Sequence, residues 1–179
     1  MAQPSLARID IDASGAKIFV TNLRPLVSNA YVRPATWGSP EYRAQFVNAE
    51  FTLKPGVWNE LVWQFTPLRD GRASLNAMGP WYKPQGASNI VPVWVYLDDF
   101  SATGTSLSNA GFEDLDEKGL PKGWSLQREG KLVSDARFLK SGKHGVKVSH
   151  DHRFTQLISL KSNQAVTLRA WAFIEPQAK

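Results

Sequence analysis

Alternating hydrophobic and polar residues recur along the chain, whereas the spacing of an amphipathic helix is nearly absent. No window of about twelve residues keeps apolar side chains at positions i, i+3, i+4 and i+7. Period-two alternation is typical of strands, because successive side chains of a strand point to opposite faces of the sheet. The predicted strands are Ala16–Asn22, Gln45–Leu53, Asn59–Phe65, Ala73–Met78, Val93–Thr103, Gly145–Ser149, Phe154–Leu160 and Ala165–Ile174.

Turn-forming residues separate these strands at intervals of roughly ten residues. Short strands with this spacing predict an all-β sandwich or barrel, and no internal repeat interrupts the pattern. The chain length suits one globular domain, residues 1–179, since it allows a closed sandwich with a sizeable core. The predicted turns are Lys54–Gly56, Arg69–Gly71, Gly79–Pro80, Lys118–Gly123 and Ser141–Lys143.

Alternation also assigns faces within two of the strands. In the segment 93–98 the aliphatic residues form the natural core face, which leaves two aromatic rings and a carboxylate facing outward. In the segment 167–173 we expect the face with the larger rings to be inward, although the opposite face is also apolar. The predicted outward set is Trp94, Tyr96 and Asp98, and the predicted inward set includes Trp171 and Phe173.

The composition excludes several classes of function. The chain has 179 residues, 42% of them hydrophobic, and it has no cysteine, which excludes disulfides, cysteine-ligated zinc and thiol catalysis. No apolar run approaches the roughly 20 residues that span a bilayer, so we expect no membrane partner. The segment Met1–Ser5 lacks a basic-then-apolar pattern, and no signal peptide is predicted.

The net charge of +5 gathers mainly in the last third of the chain. One interpretation is a solvated face, and the other is a contact surface for an acidic polymer. We expect no nucleic-acid partner, because no recognition-helix or RNA-binding signature accompanies the charge. The basic cluster consists of Arg137, Lys140, Lys143, Lys147 and Arg153, with only Asp151 among them.

Two sets of motifs are similar to known sequences. The first set is Leu53–Trp58, Phe65–Pro67 and Val95–Phe100, and the second is Asn109–Glu113, Gly123–Ser125, Ser141–Val148, Gln156–Ile158 and Leu168–Ala172. Together they resemble carbohydrate-binding modules of the family 4, 9 and 22 type, which are attached to xylanases and glucanases. The resemblance implies a jelly-roll β-sandwich of the galactose-binding-like kind.

The order of the two sets departs from the family. There the Gly-Phe-Glu and Gly-Trp segments open the module, whereas here they follow the Asp-Asp segment. The chain is either one circularly permuted sandwich or the end of one module, 1–104, followed by the start of another, 105–179. We favour the permuted domain, because each half-sandwich alone would leave an apolar face open.

The resemblance also implies a structural calcium ion, held by Glu113 and Asp99 with Asp98 as a further ligand. Calcium prefers several hard oxygens, which carboxylates and the carbonyls of a short loop can supply. The alternative is that Asp98 and Asp99 merely end a strand and that Glu113 is an exposed side chain.

Sugar recognition requires flat aromatic faces with polar groups around them. Trp94 and Tyr96 are on the predicted outward face, and further aromatic residues lie in loops rich in glycine and proline. The alternative is that these rings cover an edge of the sandwich or pack a second small core. The candidate ligand-binding residues are Trp37, Trp81, Tyr82, Trp94 and Tyr96, with Asn76, Gln64 and Arg72 as polar contacts.

No catalytic signature is present, and the acidic run Glu113–Glu117 does not match the laminarinase-like strand motif. We therefore expect a non-catalytic module, an accessory or targeting domain of a secreted or periplasmic polysaccharide-degrading enzyme. Its partner would be a polysaccharide or oligosaccharide, acidic ones included, and it would be a monomer or part of a larger multidomain protein. The alternatives are a spacer sandwich without its own ligand and a small glycan-active enzyme.

Overall fold

A computed structural model describes residues 15–21, 47–67, 70–79, 83, 85–128 and 130–176, and in 15–21, 47–52, 63, 65, 73 and 127 the backbone alone. Antiparallel strands dominate this part of the chain, so the prediction of an all-β protein is confirmed. Within the same ranges no helix is both long enough and apolar enough to cross a membrane.

The described strands form two five-stranded antiparallel sheets. The first sheet has the order β2-β1-β4-β9-β6, and the second has the order β3-β10-β5-β8-β7. A 3-10 turn, Ala136–Phe138, lies between β7 and β8. The strands are β1 Gly15–Thr21, β2 Val47–Thr52, β3 Asn59–Phe65, β4 Gly71–Met78, β5 Val95–Thr103, β6 Ser125–Gln127, β7 Lys131–Val133, β8 Gly145–Val148, β9 Arg153–Leu160 and β10 Val166–Phe173.

The hydrophobic core draws on both sheets, which gives the described part a β-sandwich-like character. Leu75 and Ile158 project from the first sheet, and Leu97 and Leu168 project from the second into the same buried cluster. Each is at most 2% exposed. Fully burying one such side chain contributes about 1.5–3 kcal/mol, so the two sheets stabilise each other chiefly through this layer.

Both sheets combine strands from the two halves of the chain. In the first sheet β4 lies between β1 and β9, and in the second β10 lies between β3 and β5. A sheet edge left unpaired exposes backbone N–H and C=O groups, so each half satisfies hydrogen bonds of the other.

Each of the eight predicted strands overlaps an observed one. The two strands that the sequence pattern missed, β6 and β7, have three residues each. Alternation over three residues is too short to distinguish a strand from a loop.

The predicted faces of β10 are wrong. Leu168, Ala170 and Ala172 point into the core, whereas Trp171 and Phe173 are half-buried on the outward face. The register explains this, because Ala170 lies opposite Leu61 and Ala172 lies opposite Leu97. Directly opposed residues of antiparallel strands share a face, so the two leucines fix the alanines inward.

A β-bulge interrupts β5 at its two adjacent aspartates. The register with β10 shifts so that Asp99 and Phe100 together face one residue, Ala170. Asp99 adopts a positive φ of 48° at this point. Strict alternation would turn Phe100 outward, whereas the bulge places its ring in the core and directs the Asp99 side chain to a neighbouring loop.

Candidate functional site

Aromatic side chains gather on the outward face of the second sheet. Phe173 of β10 lies directly opposite Tyr96 of β5, and Phe138 reaches the same place from the 3-10 turn. All but Tyr96 keep part of their surface exposed to solvent. We call this group the outer aromatic face, and it consists of Trp58, Trp94, Tyr96, Phe138, Trp171 and Phe173.

The ring of Tyr96 is enclosed within the protein and is not exposed to a ligand. Phe138 stacks on its ring with centroids 4.0 Å apart and planes 7° from parallel, and only 4% of Tyr96 is exposed. Its hydroxyl donates a 2.6 Å hydrogen bond to Oε1 of Glu175. Burial, together with that carboxylate, raises the pKa of Tyr96, so the phenol stays neutral. The side chain of Tyr96 was predicted to face outward and to bind sugar. Because its ring is enclosed, it has no free face for a sugar.

Trp94, which immediately precedes β5, is half-buried and stacks on His152 with centroids 5.0 Å apart. The His152 ring is fixed in turn, since its Nδ1 lies 2.6 Å from the hydroxyl of the buried Ser149. Part of the Trp94 ring is thus used in packing within the protein.

Two lysines lie over these rings. The Nζ of Lys140 is 3.9 Å from the centroid of Trp171, within the range of a cation–π interaction. The Nζ of Lys147 is 5.3 Å from the centroid of Trp94 and 5.0 Å from that of Tyr96. The outer aromatic face therefore carries positive charge as well as apolar surface.

A second group of candidate residues surrounds the loop Lys140–His144, and Asp98 is its most buried member. Asp98 is 0% exposed. Its Oδ2 accepts hydrogen bonds from the backbone N–H groups of Lys140 and Ser141 at 2.8 and 3.2 Å. Its Oδ1 accepts a 2.7 Å bond from the N–H of Asp99. Burial raises the pKa of Asp98, and the three N–H donors only partly offset it.

Glu113 holds the other end of this loop. Its Oε1 accepts hydrogen bonds from the N–H groups of Lys143 and His144 at 2.8 and 3.0 Å, and its Oε2 lies 3.4 Å from Nδ1 of His144. Partial burial works to raise the pKa of Glu113, but the two N–H donors and the imidazole together bring it below its ordinary value. Gly142, which precedes Lys143, has a positive φ of 63°, and a Cβ there would also collide with the Glu113 carboxylate.

The three residues predicted to bind calcium do come together around this loop. Asp99 completes the group, since its Oδ1 accepts a 2.8 Å hydrogen bond from the Ser141 hydroxyl. Both oxygens of Asp98 and Oε1 of Glu113, however, already face N–H donors. Across the described ranges no set of three or more His, Cys, Asp or Glu side chains is arranged to hold a metal ion.

The predicted polar contacts do not join the outer aromatic face. Gln64 lies on β3 of the second sheet and bonds the Thr167 hydroxyl, about 20 Å along β10 from Phe173 at ~3.4 Å per residue. Arg72 and Asn76 lie on β4 of the first sheet, on the other side of the core. Trp37, Trp81 and Tyr82 lie outside the described residues.

Sequence reasoning did not connect three residues with the outer aromatic face: Phe138, which belongs to it, and His152 and Glu175, which contact it. Phe138 and Glu175 lie outside the strands, so alternation said nothing about them. The one available signal was the location of Phe138 inside the basic cluster, between Arg137 and Lys140. Each of the three acquires its place only when the chain folds back over β5 and the residue before it.

Comparisons of the chain with protein-family models, with curated proteins and with solved structures found no match.

Proposed function

We propose that the chain is a non-catalytic carbohydrate-binding module that binds a polysaccharide or oligosaccharide on its outer aromatic face. The observation that carries the proposal is the half-buried ring of Trp171, which lies on an outward sheet face beside Lys140. A partly exposed ring offers apolar surface to the C–H face of a pyranose, and a neighbouring charge can bond its hydroxyl groups.

The scaffold we propose is a jelly-roll sandwich of the galactose-binding-like kind, with its two halves in permuted order and residues 1–179 forming one domain. The support for one domain is that each described sheet mixes strands from 1–104 with strands from 105–179. The biological setting we propose is that of an accessory domain of a secreted or periplasmic polysaccharide-degrading enzyme.

Calcium is a further part of the proposal, with a smaller set of ligands than the sequence predicts. Asp98 does not fit, because its oxygens accept three backbone N–H bonds inside the protein. Asp99 and Oε2 of Glu113 are the carboxylate oxygens of the cluster best placed to contribute. Bound there, the ion would serve as a structural tie between β5 and the loop Lys140–His144.

A spacer sandwich without its own ligand is the second candidate, and two contacts favour it. Phe138 covers Tyr96, and His152 covers part of Trp94, so these rings already pack within the protein. If all six rings serve packing alone, removing any one of them would affect stability and nothing else.

Three carboxylates of the acidic run Glu113–Glu117 form contacts within the protein, which argues against a pair of catalytic carboxylates. Glu113 binds the loop Lys140–His144, and Asp114 forms a 2.9 Å ion pair with Lys122. Asp116 accepts bonds from the N–H groups of Lys118 and Leu120, which closes a turn. These roles favour the non-catalytic proposal over the glycan-active enzyme.

The test is retention of the protein on a panel of immobilised neutral and acidic polysaccharides, with calcium or with a chelator in the buffer. We expect retention by at least one polysaccharide and its loss in Trp171→Ala. The matched control is Leu157→Ala, which removes a 57% exposed apolar side chain from the first sheet and should change nothing.

Melting temperatures of both variants show whether the fold is intact. Absence of retention on every polysaccharide would contradict the proposal and favour the spacer. Retention that Trp171→Ala leaves unchanged would place the glycan elsewhere on the protein.

A further inference from the structure

We infer that the outer aromatic face selects anionic glycans, whose carboxylate or sulfate groups pair with the ammonium groups of Lys140 and Lys147. This inference rests on the proposed function, and it names the class of glycan and the residues that recognise its charge. The shared chemistry is a polymer of sugars carrying one negative charge per unit or per pair of units.

The first support is the difference between paired and unpaired cations on this face. Arg137 forms a 2.6 Å ion pair with Asp135, and Arg169 forms a 2.8 Å ion pair with Glu60. Lys140 and Lys147 form no ion pair within the described ranges. Their charge is available to an external anion.

The acidic groups of the face do not neutralise these lysines. Asp98 is fully buried under the loop, where it accepts backbone N–H bonds. Glu175 accepts the hydroxyl bond of Tyr96. Within the described ranges neither carboxylate forms an ion pair with Lys140 or Lys147.

The second support is the way the rings hold the ammonium groups. Lys140 lies 3.9 Å over Trp171, and Lys147 lies between Trp94 and Tyr96. Lysine side chains usually lose substantial rotamer entropy when they bind, and a ring beneath the ammonium reduces that loss in advance.

The third support is a pair of like charges. Lys147 of β8 lies directly opposite Lys131 of β7, and Lys131 is exposed. Like charges in directly opposed positions destabilise a pair of antiparallel strands. An anion bound between these side chains would relieve that repulsion, and the energy released would strengthen the binding of the anion.

The separation of the lysines indicates a polymer rather than a small anion. Lys147 and Phe173 both lie opposite Tyr96, on the two strands that flank β5. Strand spacing puts these flanking strands about 10 Å apart, and Trp171 lies about 7 Å further along β10. Consecutive acidic sugars can span this backbone separation, whereas a single phosphate or acetate is shorter than it.

The experiment compares matched pairs of polysaccharides by affinity electrophoresis and titration calorimetry on the full chain. The pairs are polygalacturonate with its fully methyl-esterified form, and dextran sulfate with dextran. We expect binding of at least one anionic member, no measurable binding of its neutral partner, and weaker binding as ionic strength rises. The two pairs distinguish carboxylate from sulfate as the preferred group.

Substitutions of Lys140 and Lys147 test whether these two lysines bind the anionic polysaccharide. In K140Q combined with K147Q we expect about tenfold weaker binding of the anionic polysaccharide, which corresponds to about 1.4 kcal/mol. K140R combined with K147R should bind as the unaltered protein does, because the charges are kept. K118Q is the matched control, since Lys118 is exposed in the turn that Asp116 closes. Cooperative melting curves confirm that all three variants are folded.

Several outcomes would overturn the inference. Equal binding of the methyl-esterified or unsulfated partner, with Trp171 still required, would remove the charge preference while leaving the proposed function intact. Unchanged binding in the double glutamine variant would exclude these two lysines. Equally tight binding of a single-stranded DNA oligonucleotide would show attraction to any polyanion. Failure to bind any polysaccharide would contradict the proposed function itself.

Discussion

Two groups of aromatic residues, one in the buried core and one on the outward face of the second sheet, differ in what surrounds their rings. The inner cluster is Phe100, Phe112, Trp124 and Phe154, whose neighbouring centroids are 5.0–6.2 Å apart. Phe112 and Phe154 are 0% exposed, and the Trp124 indole N–H donates a 3.0 Å bond to the carbonyl of Asn109. The outer aromatic face instead borders lysines, a histidine and a carboxylate.

The comparison shows that ring type alone does not reveal the role of an aromatic residue. Rings whose neighbours are all apolar contribute to folding through burial and close packing. Rings that adjoin charges at a partly exposed surface can hold a cation or a ligand as well. The two groups should therefore respond differently to the same substitution.

The largest effect is expected for Phe112→Ala. Its fully buried ring contacts Phe100, Trp124 and Phe154, so truncation leaves a cavity in the core. We expect the free energy of unfolding to fall by about 3–5 kcal/mol, measured by denaturant unfolding. Phe112→Leu is the control and should recover a large part of that loss. A fall below about 1 kcal/mol would mean that the inner cluster is not part of the core.

The second-largest effect on stability is expected for a substitution of Asp98. In β5 this residue lies between Tyr96 of the outer aromatic face and Phe100 of the inner cluster. Asp98→Asn places an amide where the carboxylate accepts three N–H bonds, so at least one N–H donor would face another donor. We expect the free energy of unfolding to fall by about 1–3 kcal/mol near neutral pH. Ser101→Ala, at an exposed position of the same strand, is the control and should have little effect.

The pH dependence of stability gives an independent test of the same residue. Because burial raises the pKa of Asp98, the folded protein holds this proton more tightly than the unfolded chain does. The contribution of Asp98 to stability is therefore greatest below its ordinary pKa and declines as the pH rises through the raised value. Melting curves from about pH 3 to pH 7 should show this decline, which Asp98→Asn should remove. An identical pH dependence in the variant would contradict it.

Strand positions could be predicted from the sequence because alternation is a local property. Each of the eight segments with clear alternation overlaps an observed strand. The faces of β10 could not be predicted, since both faces are apolar and the choice depends on Leu61 and Leu97 of neighbouring strands. The bulge at Asp99 is likewise a tertiary feature, because it is defined by the pairing of β5 with β10 and it places Phe100 in the core.

The candidate site was predictable only where the motifs themselves lie close in the fold. Asp98, Asp99 and Glu113 do surround one loop, although their oxygens already accept hydrogen bonds from N–H groups and from the Ser141 hydroxyl. Gln64 and Asn76 were grouped because both are polar residues on strands, but they belong to different sheets. Sheet membership depends on pairing between distant strands, and local alternation carries no information about it.

The smallest effect is expected for Phe138→Ala, which makes the comparison of the two aromatic groups quantitative. The Phe138 ring is half-buried and stacks on Tyr96, so its loss removes one aromatic pair and part of a buried area without opening the core. We expect the free energy of unfolding to fall by about 1–2 kcal/mol, well below the loss for Phe112→Ala.

Denaturant unfolding and polysaccharide retention together decide the role of Phe138. Retention should persist in Phe138→Ala, because Trp171, Lys140 and Lys147 remain, and the Tyr96 ring becomes accessible to solvent. Phe138→Leu should keep most of the stability through its apolar contact with Phe173. A loss of stability as large as that of Phe112→Ala would mean that the outer aromatic face acts as a second core, and the spacer would then be the better interpretation.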